Sequence, residues 1–165
     1  MLKKLLLQAF VFFVIFHGIS WLRELTLLDT DGSIAVPNLA VQQIDGNSVN
    51  LADYKGKPVV YYFWAPWCSV CKMSMPNLQD FHLENKDKVH VVAVALSYDS
   101  KDEVVAYMEE NDFSFDYVLG NVMVSQAFKI QGYPTYYVAD KDGMLVSKSM
   151  GYTSELGMQI RSSIL

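Results

Sequence analysis

The stretch Trp64-Ala65-Pro66-Trp67-Cys68-Ser69-Val70-Cys71-Lys72 constrains this chain more than any other, because it holds both of its cysteines, at i and i+3. Residues 58–64 before it are mostly β-formers and the residues after it carry a helical pattern, so the pair falls at a strand-to-helix junction. Two thiols so spaced can close a disulfide across one helical turn. The first sits at the positive end of the helix dipole, beside N–H groups that have no partner inside the helix. That setting favours the thiolate, which is the nucleophile in disulfide exchange.

With both cysteines in one C-x-x-C, a disulfide scaffold is excluded, and the pair is redox chemistry, structural thiols or half of a metal site. A zinc site needs two more ligands, and the chain has only three histidines, His17, His82 and His90. Covalent haem attachment needs a histidine after the second cysteine, where Lys72 stands. No metal or other cofactor is therefore expected. At 165 residues, 52% hydrophobic and 19% charged, the chain has room for one domain and an appendage. Its net charge of −5, with no lysine or arginine cluster, argues against nucleic acid as a partner.

The appendage is N-terminal. Lys3 and Lys4 precede an apolar stretch, residues 5–22, interrupted only by Gln8, His17, Gly18 and Ser20. Eighteen helical residues span about 27 Å, just enough for a bilayer core. The lysine pair would keep residues 1–4 in the cytoplasm and place everything after Arg23 outside. A cleaved signal peptide is the competing reading, with Gly18-Ile19-Ser20 as its cleavage site. Its apolar region should be shorter, about 7 to 15 residues, so the length favours an uncleaved anchor. No cysteine lies near the end of the stretch to carry a lipid, which excludes lipoprotein processing. Residues 23–36, with Asp29-Thr30-Asp31-Gly32-Ser33, have turn chemistry and read as a tether, leaving residues 37–165 as the domain.

Within that domain, residues 41–44 and 48–51 around Asp45-Gly46-Asn47 predict a hairpin. Residues 59–63 are apolar on both faces, as in a central strand covered on each side. A helix is expected from about Cys68 to Glu84 with Met73, Leu78, Phe81 and Leu83 as its apolar positions, kinked at Pro76. A buried strand follows at 89–96, then a helix at 101–111 with Val104, Val105 and Met108 at helical spacing. Residues 115–119 predict a short strand, 123–128 a short helix and 135–138 a strand. A hairpin turn at Asp140-Lys141-Asp142-Gly143 leads into a strand ending at Met150. Ser154 is the expected cap of a last helix reaching about Ile164.

Four stretches in this order carry a resemblance to a known family: Asp45-Gly46 through Leu51-Ala52-Asp53-Tyr54-Lys55-Gly56-Lys57-Pro58; Phe63-Trp64-Ala65-Pro66-Trp67-Cys68 with Cys71 and Pro76; Gly132-Tyr133-Pro134-Thr135; and Asp140-Lys141-Asp142-Gly143. Over about residues 37–152 the chain resembles membrane-anchored thioredoxin-like proteins of the TlpA/ResA type, and within them most resembles the ScsD-like branch linked to copper tolerance. The resemblance implies an α/β, thioredoxin-like fold, a mixed sheet of four or five strands flanked by helices. It also implies a cis peptide before Pro134, beside the disulfide. Two positions depart from the pattern: Ser74 stands where relatives often carry a glutamate, and Tyr62 where cytosolic thioredoxins carry a buried aspartate. Neither usual proton acceptor is present, so either water, Tyr62 or Lys72 contributes indirectly or proton transfer is slower than in relatives.

Cys68 is the expected attacking thiol and Cys71 the resolving one. Ser69 and Val70 keep their N–H groups, which are expected to point at the Cys68 sulfur. Trp67, Tyr133 and Pro134 are the candidate substrate-binding residues, while Trp64 more readily packs at the strand end. Met73 and Met75 flank the site and read as gap-fillers rather than copper ligands. The leading expectation is a thiol-disulfide oxidoreductase of the bacterial inner membrane, spanning it once and facing the periplasm. It would reduce disulfides of exported proteins and be recharged by a transmembrane electron donor. Two alternatives stay open: a thiol oxidase or isomerase on the same fold, and a Cu(I)-binding assembly factor.

Overall fold

Strand β3 (Val59–Trp64) runs through the middle of the molecule with all six side chains buried. Successive strand residues face opposite ways, so β3 divides the core into two layers. Val60, Tyr62 and Trp64 share one layer with Leu78, Phe81, Val104, Met108 and Met158. Val59, Tyr61 and Phe63 share the other with Leu27, Leu28, Val36, Val124, Phe128 and Leu145. This computed structural model describes residues 2–24 and 26–162.

Around β3 the strands β1 (Ala40–Gln43), β2 (Ser48–Asn50), β4 (His90–Ala95), β5 (Asp116–Leu119), β6 (Thr135–Ala139) and β7 (Leu145–Met150) form one mixed sheet in the order β2-β1-β5-β4-β3-β6-β7. β3, β4 and β5 are parallel, and β6 pairs antiparallel with β3, Tyr62 opposite Tyr136. The sheet therefore has seven strands, not the four or five expected. The extra width comes from the β1–β2 hairpin, which joins through Gln42 opposite Leu119 of β5. Local alternation identifies a hairpin but not the strand it will pair with.

Helices α2 (Ser69–Asn85), α3 (Lys101–Glu110) and α5 (Glu155–Ser162) belong to the first layer. Helix α4 (Val122–Ala127) belongs to the second. In α2 the buried positions are Cys71, Ser74, Met75, Leu78 and Phe81, the i, i+3, i+4, i+7 stripe. Met73 and Leu83, expected inside, are 66% and 50% exposed. Met73 lies about 200° round the helix from Cys71, so the cysteine fixes a face that excludes it. Pro76 lies within α2 on its exposed side. Ser154 does cap α5, its Oγ accepting from Gly157 N–H at 3.2 Å; the expected end near Ile164 lies outside the described residues.

The expected tether is part of the domain. Leu27 and Leu28 are buried. Leu28 N–H donates to the Tyr137 hydroxyl at 3.0 Å, and Lys148 Nζ donates to the Leu28 carbonyl at 2.9 Å. Farther along, Gly32 N–H reaches Leu145 O and Val36 N–H reaches Gly143 O, and Ala35 bridges to Met144. Residues 27–36 are thus a strap laid along the start of β7 rather than a free tether. Its apolar residues are too widely spaced to show a period, which is why composition alone reads as linker.

Helix α1 (Leu2–Glu24) precedes the strap. Among the described residues no helix is long and apolar enough to cross a membrane. The anchor expected over 5–22 falls partly outside that description, since the side chains of Leu5, Ala9, Phe16, His17, Ile19, Ser20, Trp21 and Leu22 are not in it.

Candidate active site

The site forms where β3 ends and α2 begins. Cys68 N–H donates to Ala65 O at 3.0 Å, closing a turn that swings the chain from strand to helix. Cys68 is then the N-cap of α2, with extended backbone (φ −80°, ψ 102°). Its Sγ accepts a hydrogen bond from Cys71 N–H at 3.1 Å, the role an oxygen plays in an ordinary cap. The two sulfurs are joined in a disulfide, with the Cα atoms 5.2 Å apart. Cys68 is 6% exposed and Cys71 is fully enclosed. Cys68 thus keeps a small exposed surface at the start of α2, and Cys71, one turn deeper, has none.

The donor at the Cys68 sulfur differs from the expectation. It is the N–H of Cys71, while Ser69 and Val70 are exposed on the outer side of the first turn. At an N-cap the N–H groups that reach back to the capping atom are those of the second and third helical residues, and here the third is Cys71.

The segment before β6 supplies the opposing wall. The Tyr133-Pro134 peptide is cis, as the resemblance implies, and Tyr133 packs against the buried cluster that contains both cysteines. Pro134 is buried and its carbonyl accepts from Gly151 N–H at 2.7 Å. Trp67 is 63% exposed, and its ring meets Tyr133 edge-on at 5.7 Å. Trp64 is fully buried and stacks at a tilt on Tyr107, 5.3 Å away, as a packing residue.

Ser97, which sequence reasoning missed, joins these two walls. Its carbonyl accepts the Trp67 indole N–H at 2.8 Å, and its hydroxyl lies 3.0 Å from the Tyr133 hydroxyl. It sits just past the carboxyl end of β4 with a left-handed backbone, φ 51°. The rule that α/β sheets present their sites at the carboxyl ends of strands could have pointed to residues 96–98. A single serine carries no signal by itself.

Two side chains occupy the places of the missing proton acceptors. The Tyr62 hydroxyl faces the Cys71 carbonyl at 3.5 Å, and Ser74 Oγ donates to Thr153 O at 3.3 Å. Burial pushes the Tyr62 hydroxyl far above the ordinary tyrosine range, and the Ser74 hydroxyl only partly offsets it. Tyr62 therefore stays protonated at neutral pH and does not act as a base. Lys72 is engaged elsewhere, its ammonium lying 5.1 Å over the Tyr107 ring. Among the described residues no three His, Cys, Asp or Glu side chains converge on a common point.

Known proteins agree with this geometry. The sequence pattern of the AhpC/TSA family matches residues 33–148. The thioredoxin-like protein YneN of Bacillus subtilis is 30% identical over 125 residues, 74% of each chain. The thiol-disulfide oxidoreductase ResA of Oceanobacillus iheyensis is 38% identical over 116 residues, 66% of this chain and 59% of that one. Among solved structures, an exposed lipoprotein thioredoxin of Streptococcus pneumoniae superposes with a TM-score of 0.67 at 25% identity, over 78% of this chain and all of that one. With its mixed sheet, its capped C-x-x-C and its cis-proline wall, the chain belongs to the AhpC/TSA family, as a thioredoxin-like thiol-disulfide oxidoreductase similar to the ResA proteins.

Proposed function

We propose that this protein is a disulfide reductase held at the outer face of the bacterial inner membrane, its domain in the periplasm, where it reduces disulfides of exported proteins. The observation that carries the reading is the unequal access of the two sulfurs at the start of α2, one reachable and one enclosed. In the reduced protein the Cys68 thiolate attacks one sulfur of the substrate disulfide. A Cys68–substrate disulfide forms, and the other substrate sulfur leaves as a thiolate that takes up a proton. Cys71, one turn deeper, then attacks Cys68 Sγ, releasing the second substrate thiolate and closing the internal disulfide. Two electrons pass to the substrate, so each cycle needs a dithiol donor. Outside the cytoplasm that donor has to be fed through the membrane.

Direction follows from how strongly the thiolate is held, because stabilising the reduced form makes the couple more oxidising. Here Cys68 receives one amide N–H and the helix end. The residues between the cysteines, Ser69 and Val70, are uncharged, and the ammonium of Lys72 is over Tyr107. That modest stabilisation favours a reductase over an oxidase.

For the anchor the reading draws on the apolar stretch at residues 5–22 and on exposed apolar residues of α1, a helix whose described residues are not long and apolar enough to cross a membrane by themselves. Its 23 residues reach about 34 Å, and Phe10, Val11, Phe12, Phe13, Val14 and Ile15, six successive residues that cover every side of a helix, are all at least 46% exposed. Apolar exposure around a whole circumference suits hydrocarbon, not water. Lys3 and Lys4 precede it, consistent with a cytoplasmic N-terminus. The pneumococcal relative is an exposed lipoprotein.

Insulin reduction by the full chain in detergent, with a dithiol donor, tests the chemistry. Cys68→Ser should abolish turnover, and Cys71→Ser should accumulate a mixed disulfide. Retained turnover by Cys68→Ser would overturn the assignment. Alkaline carbonate extraction of membranes tests the anchor: the chain should stay in the pellet, and its release would refute a spanning helix.

A further inference from the structure

Beside the reactive face lies an open cleft of about 380 Å³, lined by residues 96–98 on one side and by residues 120–122 with Ser125 on the other. It sits at the carboxyl ends of the parallel strands β4 and β5, where open α/β sheets receive ligands. Ser97 is common to both features: it lines the cleft while its carbonyl fixes Trp67, the residue before the attacking cysteine. The cleft is thus joined through Ser97 to the residue that precedes Cys68.

The cleft is built rather than incidental. Its floor requires glycine at position 120, where a Cβ would lie 2.7 Å from Leu96 Cδ2 and 2.9 Å from Val94 Cγ1. Gly120 is fixed there by its N–H bond to Ala95 O at 2.9 Å. Next to it, the Asn121 side chain caps α4, accepting from Met123 and Val124 N–H groups. The rim carries exposed Val122, 67% accessible. The lining mixes apolar atoms of Leu96, Gly120 and Val122 with the polar groups of Ser97, Tyr98 and Ser125, and contains no charged side chain.

We propose that this cleft is a specificity subsite that receives one side chain of the substrate polypeptide, close to its reacting cysteine, and that it selects uncharged side chains with an apolar body and a hydrogen-bonding tip, such as tyrosine or glutamine. A carboxylate or ammonium entering it would lose water without gaining an opposite charge. This inference rests on the exchange reading of Cys68 and Cys71 given above.

The test follows single turnovers of the reduced full chain in detergent by tryptophan fluorescence. The probes are symmetrical disulfides of short peptides that differ at one position flanking the cysteine, carrying Tyr, Gln, Gly, Asp or Lys. Bis(hydroxyethyl) disulfide, which has no side chain to place, serves as the control. At one flanking position Tyr or Gln should react about tenfold faster than Asp or Lys. Val122→Trp, which changes an exposed rim residue, and Ser125→Leu, which fills the wall, should each reduce that preference to less than about twofold. Both should leave the rate with the control disulfide unchanged. Equal rates for all peptides, a preference for a charged residue, or a ranking that survives both variants would overturn the subsite. Failure of the unaltered chain to react with the control disulfide would instead reject the exchange reading itself.

Discussion

Tyr137→Phe removes one oxygen atom and, on this structure, two hydrogen bonds that tie the strap and α4 to the sheet. The Tyr137 hydroxyl accepts from Leu28 N–H at 3.0 Å and donates to Phe128 O at 2.8 Å, both in buried surroundings. Leu28 and Phe128 are themselves buried, so water does not readily replace the lost partner. An orphaned buried polar group costs about 1–3 kcal/mol. The carbonyl can relax more easily than the amide, so the total expected is about 2–4 kcal/mol. With a urea m-value of about 2 kcal/mol/M, the unfolding midpoint should fall by about 1–2 M at unchanged m. In hydrogen exchange the Leu28 amide should drop from core-like protection to that of a locally opening segment. The same group predicts a pH effect. Burial, only partly offset by the Leu28 N–H bond, pushes the Tyr137 hydroxyl up to about 12. A pKa raised on folding gives stability that is complete below the unfolded value of about 10 and is lost as pH rises from there to about 12. The variant should show less of that alkaline loss than the parent protein. A midpoint shift under about 0.3 M, with Leu28 still exchanging at the parent rate, would refute the claim that residues 27–36 are structural rather than a loose tether.

Gly120→Ala should destabilise by about 1–3 kcal/mol through overpacking against Leu96 and Val94; a urea midpoint within error of the parent would contradict the tight floor. Trp67→Phe keeps an aromatic ring, though a smaller one, and loses the N–H bond to Ser97 O. Because Trp67 is exposed, stability should move by less than about 0.5 kcal/mol, while KM for protein disulfides rises and the rate with a small disulfide holds; a change in kcat alone would argue against a binding role. Ser74→Ala should cost about 1 kcal/mol from the lost Thr153 contact and leave the pH dependence of turnover in place, since neither Ser74 nor Tyr62 is a base at neutral pH; a displaced pH profile would show otherwise.

The reactive pair and the central strand were legible because their signals are local. Six apolar residues in a row at 59–64 leave a buried strand as the natural reading, and a C-x-x-C at a strand-to-helix junction fixes both register and polarity of α2. The face of α2 is less legible: hydrophobicity alone picks out Met73 and Leu83, whereas Cys71, Ser74 and Leu78 define the buried stripe. Ser69 and Val70 were expected to donate to the sulfur, but cap geometry selects Cys71 N–H. The strap and the attachment of the β1–β2 hairpin escaped because both depend on pairings between distant segments, Leu28 with Tyr137 and Gln42 with Leu119. Ser97 was invisible for a related reason, since its importance lies in a carbonyl and a left-handed φ rather than in its residue type.

The reduction potential of the Cys68–Cys71 couple, measured on the full chain in a thiol redox buffer, bears most directly on a thiolate stabilised by one amide and a helix end. A value near thioredoxin's, about −270 mV, is predicted. A value near about −120 mV, that of a strong oxidant, would mean that the reduced form is held far more firmly than Cys71 N–H and the α2 terminus provide, and would contradict the reductase.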